Sequence, residues 1–194
     1  MRRIVPILIA LLSLSAQAHA APPKLYEVQV LVFANHLPQL DGQEYWGQEK
    51  IVPIKDFNQA LSASHVLPVG SQLAIAQSVL STNSHYTVLA ARSWVQNMVS
   101  LRTTKPIRIQ SAIGGTLTGV IRVFQWRLIH VAVDLHYTPT PGILSTTPPP
   151  VYQLMATRPV VLRDTNYFDH PKIGVLVRVV PYTGPIQGPT SSGQ

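Results

Sequence analysis

The sequence predicts an α+β fold: a single domain built on a mostly antiparallel β-sheet, with one clear helix and a long irregular segment in its N-terminal half. Three observations carry this. Strand-length runs of alternating apolar and polar residues follow one another with short links. Only one stretch repeats its apolar residues every three to four positions. No strand–helix–strand alternation occurs, which a parallel sheet would need.

The first element is a leader. Arg2 and Arg3 precede an apolar run at 4–14 that closes in Ala18-His19-Ala20, the pattern of a secretory signal peptide. The run is too short to cross a hydrocarbon core of roughly 30 Å, so cleavage after Ala20 and release into the periplasm of a bacterial envelope are expected. With no cysteine in the chain, a lipid anchor at the cleavage point is not expected, and neither is a transmembrane anchor. The same absence excludes disulfides, a thiol nucleophile and zinc–thiolate sites. Without its leader, this 194-residue chain is long enough for one real core, not two.

Residues 25–33 (LYEVQVLVF) alternate and then run apolar, as a first core strand would. Residues 36–70 carry Pro38, Gly42, Gly47, Pro53 and Pro68 without sustained periodicity. They predict an irregular cover packed on the body, with one short helix near 56–63. Ser71 is the N-cap of the clear helix, in which Leu73, Ala74, Ala76, Val79 and Leu80 recur and which Asn83 ends. Residues 86–95 read as a strand with Tyr86, Val88, Ala90, Arg92 and Trp94 on one face, and 107–110 as a short strand broken at Gly114-Gly115. Residues 119–137 are expected to form the longest ordered unit. Ile129, Val131, Val133, Leu135 and Tyr137 lie on its core face, opposite Leu128, His130, Ala132, Asp134 and His136. Prolines make 138–150 an extended connector, and Pro159 makes 151–162 an edge strand. Residues 173–180 form the last core strand. Residues 183–194 are a Gly/Pro/Ser tail expected to be disordered, so the domain is expected to occupy 21–182.

Charge is divided along the chain. Without Arg2 and Arg3, 13 basic residues face 8 acidic ones. The excess lies in 92–178, where ten Lys and Arg outnumber Asp134, Asp164 and Asp169. A basic half in an exported protein favours polyanions such as wall peptide carboxylates, wall phosphates or lipid headgroups. Nucleic acid is not expected as a partner, because the expected compartment lacks it and no Lys/Arg-rich run or recognised module appears.

Catalytic signatures are missing. The sequence holds no G-x-S-x-G elbow, phosphate loop, dinucleotide fingerprint or H-E-x-x-H, and no cofactor or metal is expected. His130, Asp134 and His136 share a strand face, yet one strand alone supplies poor tetrahedral geometry. Aromatic residues beside basic ones suit sugar and peptide recognition, because rings stack on apolar sugar faces while guanidinium groups clamp carboxylates. Arg92, Trp94, Trp126, Arg127 and His130 are the candidate binding residues.

The densest polar and aromatic stretch is Tyr167-Phe168-Asp169-His170-Pro171. It reads as a structural corner: Pro171 fixes φ and makes His170 extended, Asp169 takes a backbone N–H, and Tyr167 or Phe168 anchors in the core. Taken in order, Tyr26 to Phe33, His85 to Leu89 with Trp94-Val95-Gln96, Leu128 to Val131 with Asp134-Leu135, and this corner with Gly174-Val175-Leu176-Val177 resemble the CsiV family of periplasmic peptidoglycan-binding proteins. The resemblance covers 25–182, and the corner is its specific motif. The family pattern has Glu and His before the corner tyrosine, where this chain has Thr165 and Asn166, and an aromatic where Leu128 stands. The resemblance implies a non-enzymatic envelope protein that binds peptidoglycan and supports wall assembly or cell shape. An adaptor for a cell-wall synthesis protein is the alternative, and a wall hydrolase or metal-dependent enzyme a lesser one.

Overall fold

A computed structural model describes residues 24–36, 50–63, 65–142 and 146–184. Residues 1–23, 37–49 and most of the C-terminal tail lie outside the described residues, and the expected leader falls among them. Two sheets carry the architecture. In the first, β3 (Tyr86–Asn97), β1 (Leu25–Asn35), β9 (Ile173–Pro181) and β8 (Thr165–Phe168) lie side by side. In the second the order is β2 (Leu61–Ser62), β4 (Ile107–Ser111), β5 (Gly115–Gln125), β6 (Ile129–Pro139) and β7 (Tyr152–Pro159). All neighbours pair antiparallel except β2 and β4, which are parallel.

The alternation read from sequence becomes two inner faces packed on each other. Val28, Val30 and Val32 of β1 and Val175, Val177 and Val179 of β9 meet Leu117, Ile121 and Val123 of β5 and Val131, Val133 and Leu135 of β6 in one core cluster. Period-two patterning puts these residues on one side of each strand, and their burial is the main stabilising term. β1 is buried on its other face too. There Leu31 packs with Leu73 of the helix α1 (Gln72–Thr82) and with Leu67, making a third layer. The Ser71 hydroxyl accepts the Ala74 N–H at 3.2 Å, capping α1, and Asn83 ends it. Ala74, Ala76 and Leu80 face the sheet, whereas Val79 is exposed.

Several elements differ from the sequence reading. No α-helix forms at 56–63; a 3-10 turn, Phe57–Gln59, leads into β2 instead. Residues 119–137 are not one unit but most of a hairpin, β5 and β6, turning through Trp126, Arg127 and Leu128. β3 does not keep one face. The register shifts between Val32 and Phe33, which oppose Ala90 and Val88, so Leu89 swings into the core and Val88 moves to the helix side. Ala90, Arg92 and Trp94 remain on the inner side with Val32, Val30 and Val28. Pro159 ends β7 at the edge of its sheet, as expected from its missing N–H.

The irregular N-terminal segment is a cover where it is described. The Val52 N–H donates to Gln153 and its carbonyl accepts from His136 and Gln153, so the strap crosses the outer face of the second sheet. Further on, β2 pairs with β4 and His65 bridges to Ser93 of β3, so one short segment ties both sheets together.

Candidate ligand-binding site

One end of the two packed sheets collects exposed cations and an aromatic ring. Its base is ordered by polar side chains at the end of β3. The Trp94 indole N–H donates to Gln96 at 2.7 Å, and the Gln96 amide donates to the Val123 carbonyl at 2.7 Å. The Gln125 N–H then donates to the Val99 carbonyl at 2.9 Å. These bonds fasten the β3–β4 loop to the β5–β6 hairpin. Within the loop the Ser100 carbonyl accepts the Thr103 and Thr104 N–H groups and the Thr104 hydroxyl. With its backbone so occupied, the loop presents Arg102 and Lys105 outward.

Between this loop and the strap lies a cleft of about 730 Å³, lined by Leu101, Arg102, Lys105, Arg122 and Asp56 among others. Arg122 projects from the outer face of β5 because its neighbours Ile121 and Val123 take the core. Its Nη2 meets Asp56 Oδ2 at 2.7 Å. The guanidinium of Arg108, on the outer face of β4, stacks 4.7 Å from the Phe57 ring centre and donates to the Phe57 carbonyl at 2.9 Å. The Nε atoms of Arg108 and Arg122 are buried and have no hydrogen-bond partner among the described residues.

The residues singled out in the sequence are distributed unevenly around this end. Trp126 is 77 % exposed at the hairpin tip, with Arg127 exposed beside it. The His130 ring lies 6.0 Å from Trp126 and stacks on Phe124 at 5.4 Å, and its Nδ1 donates to the Leu128 carbonyl at 3.0 Å. The Trp126 and His130 rings therefore stand together, and Arg127 adjoins Trp126 in the chain. Trp94 does not join them. It is 3 % exposed and packed in the core, which removes it as a ligand contact, because the inward register of β3 carries it between the sheets. Arg92 sits partway along β3 on the first sheet, its guanidinium donating to the Ala91 carbonyl, and lies apart from the hairpin tip.

The His130, Asp134 and His136 face exists, but each side chain has its own partner. Asp134 accepts from Gln153 at 2.9 Å and His136 donates to Val52. Among the described residues no group of three His, Asp or Glu could hold a metal.

At the corner, Phe168 is 2 % exposed in the core, with the Arg158 guanidinium 4.3 Å from its ring centre. Tyr167 faces the other way, stacks on Phe33 at 6.2 Å and donates its hydroxyl to Asp169 at 2.7 Å. Burial, then the Asp169 hydrogen bond and charge, push this hydroxyl well above its ordinary pKa. The turn's backbone bonds use His170 rather than Asp169. Its Nδ1 accepts the Lys172 N–H at 3.1 Å, and its carbonyl accepts the Ile173 N–H. Position 174 is glycine because the Phe33 ring lies directly over it, leaving no room for a Cβ.

Sequence reasoning did not single out Arg122, Arg108, Asp56, Arg102 or Lys105 as site residues. A signal was present: each strand arginine is flanked on both sides by residues that read as core.

Compared with protein families, residues 60–182 match the model of the peptidoglycan-binding protein CsiV. The chain belongs to the CsiV family. The matched span covers β2 to β9, so Arg102, Lys105, Arg122, Trp126 and the corner fall inside CsiV, whereas β1 and Asp56 precede it. The likeness read from sequence began earlier, at Leu25. Comparisons with curated proteins and with solved structures give no match. Membership supports a general peptidoglycan-binding role, and CsiV is described as a peptidoglycan-binding protein.

Proposed function

We propose that the mature chain, exported and cleaved after Ala20, is a non-catalytic periplasmic protein that binds peptidoglycan and supports cell-wall assembly or cell shape. Family membership supplies the ligand class. Among the described residues no helix is long and apolar enough to cross a membrane. The observation that carries the contact surface is Trp126, a large ring left 77 % exposed beside His130, with the exposed Arg127 next to it in the chain. An indole on a sugar's apolar face, with a guanidinium able to reach a neighbouring carboxylate, gives modest affinity that depends on salt.

Sedimentation with purified sacculi tests this reading. Replacing Trp126 and Arg127 together by Ala is expected to lower the pelleted fraction at least about threefold while leaving the melting temperature unchanged, since exposed substitutions shift stability by only about 0.5 kcal/mol. Arg92→Ala, away from the hairpin tip, tests whether the first sheet contributes. Its retention is expected to fall less than that of the double variant. A wild-type protein that stays in the supernatant at low salt would end the proposal.

A further inference from the structure

We propose that the cleft between the strap and the β3–β4 loop binds the carboxylates of peptidoglycan stem peptides, and that Asp56 occupies this position in the free protein. This rests on the peptidoglycan-binding reading and names the part of the wall that the cleft takes.

The lining is cationic: Arg102, Lys105 and Arg122 converge there, and Asp56 is the acid among the lining residues. At about 730 Å³ it falls in the range of ligand sites, roughly 300–1,000 Å³. The Asp56–Arg122 contact shows what the guanidinium donates to in this setting, namely a carboxylate oxygen at 2.7 Å. That contact uses one prong of the fork. Arg122 Nη2 is engaged while Nε, on the same edge, has no partner among the described residues. A carboxylate facing that edge squarely accepts from both nitrogens, the stronger bidentate arrangement.

Asp56 can leave without the strap coming away. Its side chain is 45 % exposed against 22 % for Arg122, so it lies on the solvent side of the pair. The strap is held separately by Arg108 on Phe57 and by Val52 on Gln153. The site is also within reach of the hairpin tip. Arg122 on β5 and Trp126 in the turn that follows it are four residues apart, at most about 13 Å along the chain, comparable to an extended stem peptide of four residues. A glycan on Trp126 can therefore place its peptide terminus at Arg122.

The test is an NMR titration of the mature protein with N-acetyl-D-alanyl-D-alanine and with its C-terminal amide, run beside sacculus pelleting. The acid is expected to shift the amides of 101–105 and 122, and the amide form to bind at least about tenfold more weakly. Asp56→Asn, which removes the internal competitor, is expected to tighten binding about threefold or more. Arg122→Lys keeps the charge without the fork and is expected to weaken it, with the thermal melt reporting that the fold is intact. Equal binding of acid and amide, weaker binding by Asp56→Asn, or displacement by inorganic phosphate at the same concentration as the peptide each overturns the site. Sacculus retention without dipeptide binding overturns the site and leaves the wider reading standing. Dipeptide binding without sacculus retention overturns the wider reading.

Discussion

At Phe168 and Tyr167, adjacent side chains on β8 point to opposite faces, and their energetics separate accordingly. Phe168 fills the core between the sheets, so Phe168→Ala is expected to cost about 3–5 kcal/mol, read as a fall in the urea midpoint. Tyr167 instead donates to Asp169 on the surface, and its proton is held more tightly in the folded chain than in the unfolded one. Burial raises the Tyr137 pKa in the same direction, with the charge of Tyr152 adding to it. For a raised pKa the stabilisation is complete below the unfolded value near 10 and is lost as pH climbs through the folded value. Stability is therefore expected to decline above about pH 10, and Tyr167→Phe to flatten that decline in melts run up to about pH 11.5. The corner motif was legible in the sequence as a stretch of unusual residues, as was the need for a core anchor. Which aromatic goes inward depends on the register of Phe168 opposite Val175, and no local signal gives that.

Among the elements, α1 was the most legible because a cap residue and apolar spacing agree on its limits. Ser71→Ala should cost about 1 kcal/mol, the usual value of a lost N-cap, measured as a drop of a few degrees in melting temperature. The β5–β6 hairpin was not legible, since Trp126, Arg127 and Leu128 include neither Gly nor Asn to mark the turn. The β3 bulge was hidden for a similar reason. An extra residue in one strand shows only against its partner, and β1 lies far earlier in the chain. The cleft escaped because its parts come from three places: Asp56 and Arg122 are 66 residues apart and meet only when the strap crosses the sheet.

At the scale of the molecule, part of the basic excess seen in the sequence is gathered in one place. Arg102, Lys105, Arg122 and Arg127 gather around the cleft and the hairpin tip. Raising salt from 0.1 to 1 M shortens the screening length from about 10 to about 3 Å. Sacculus retention is expected to fall over that range, and to fall less steeply for a Lys105→Gln, Arg127→Gln variant, as pelleting at graded NaCl would show. Fold class was legible in the strand patterning, but the division into two sheets was not, because pairing partners are set by long-range packing rather than by the strands themselves. At the side opposite the strap's tie, β8 spans only Thr165–Phe168 and β7 runs out at Pro159. The four-residue border of the first sheet gives a second copy little backbone to zip onto, and the proline that closes β7 limits how far pairing could extend along the other. A protein that crowds onto a polymer surface is thereby discouraged from aggregating with its own neighbours.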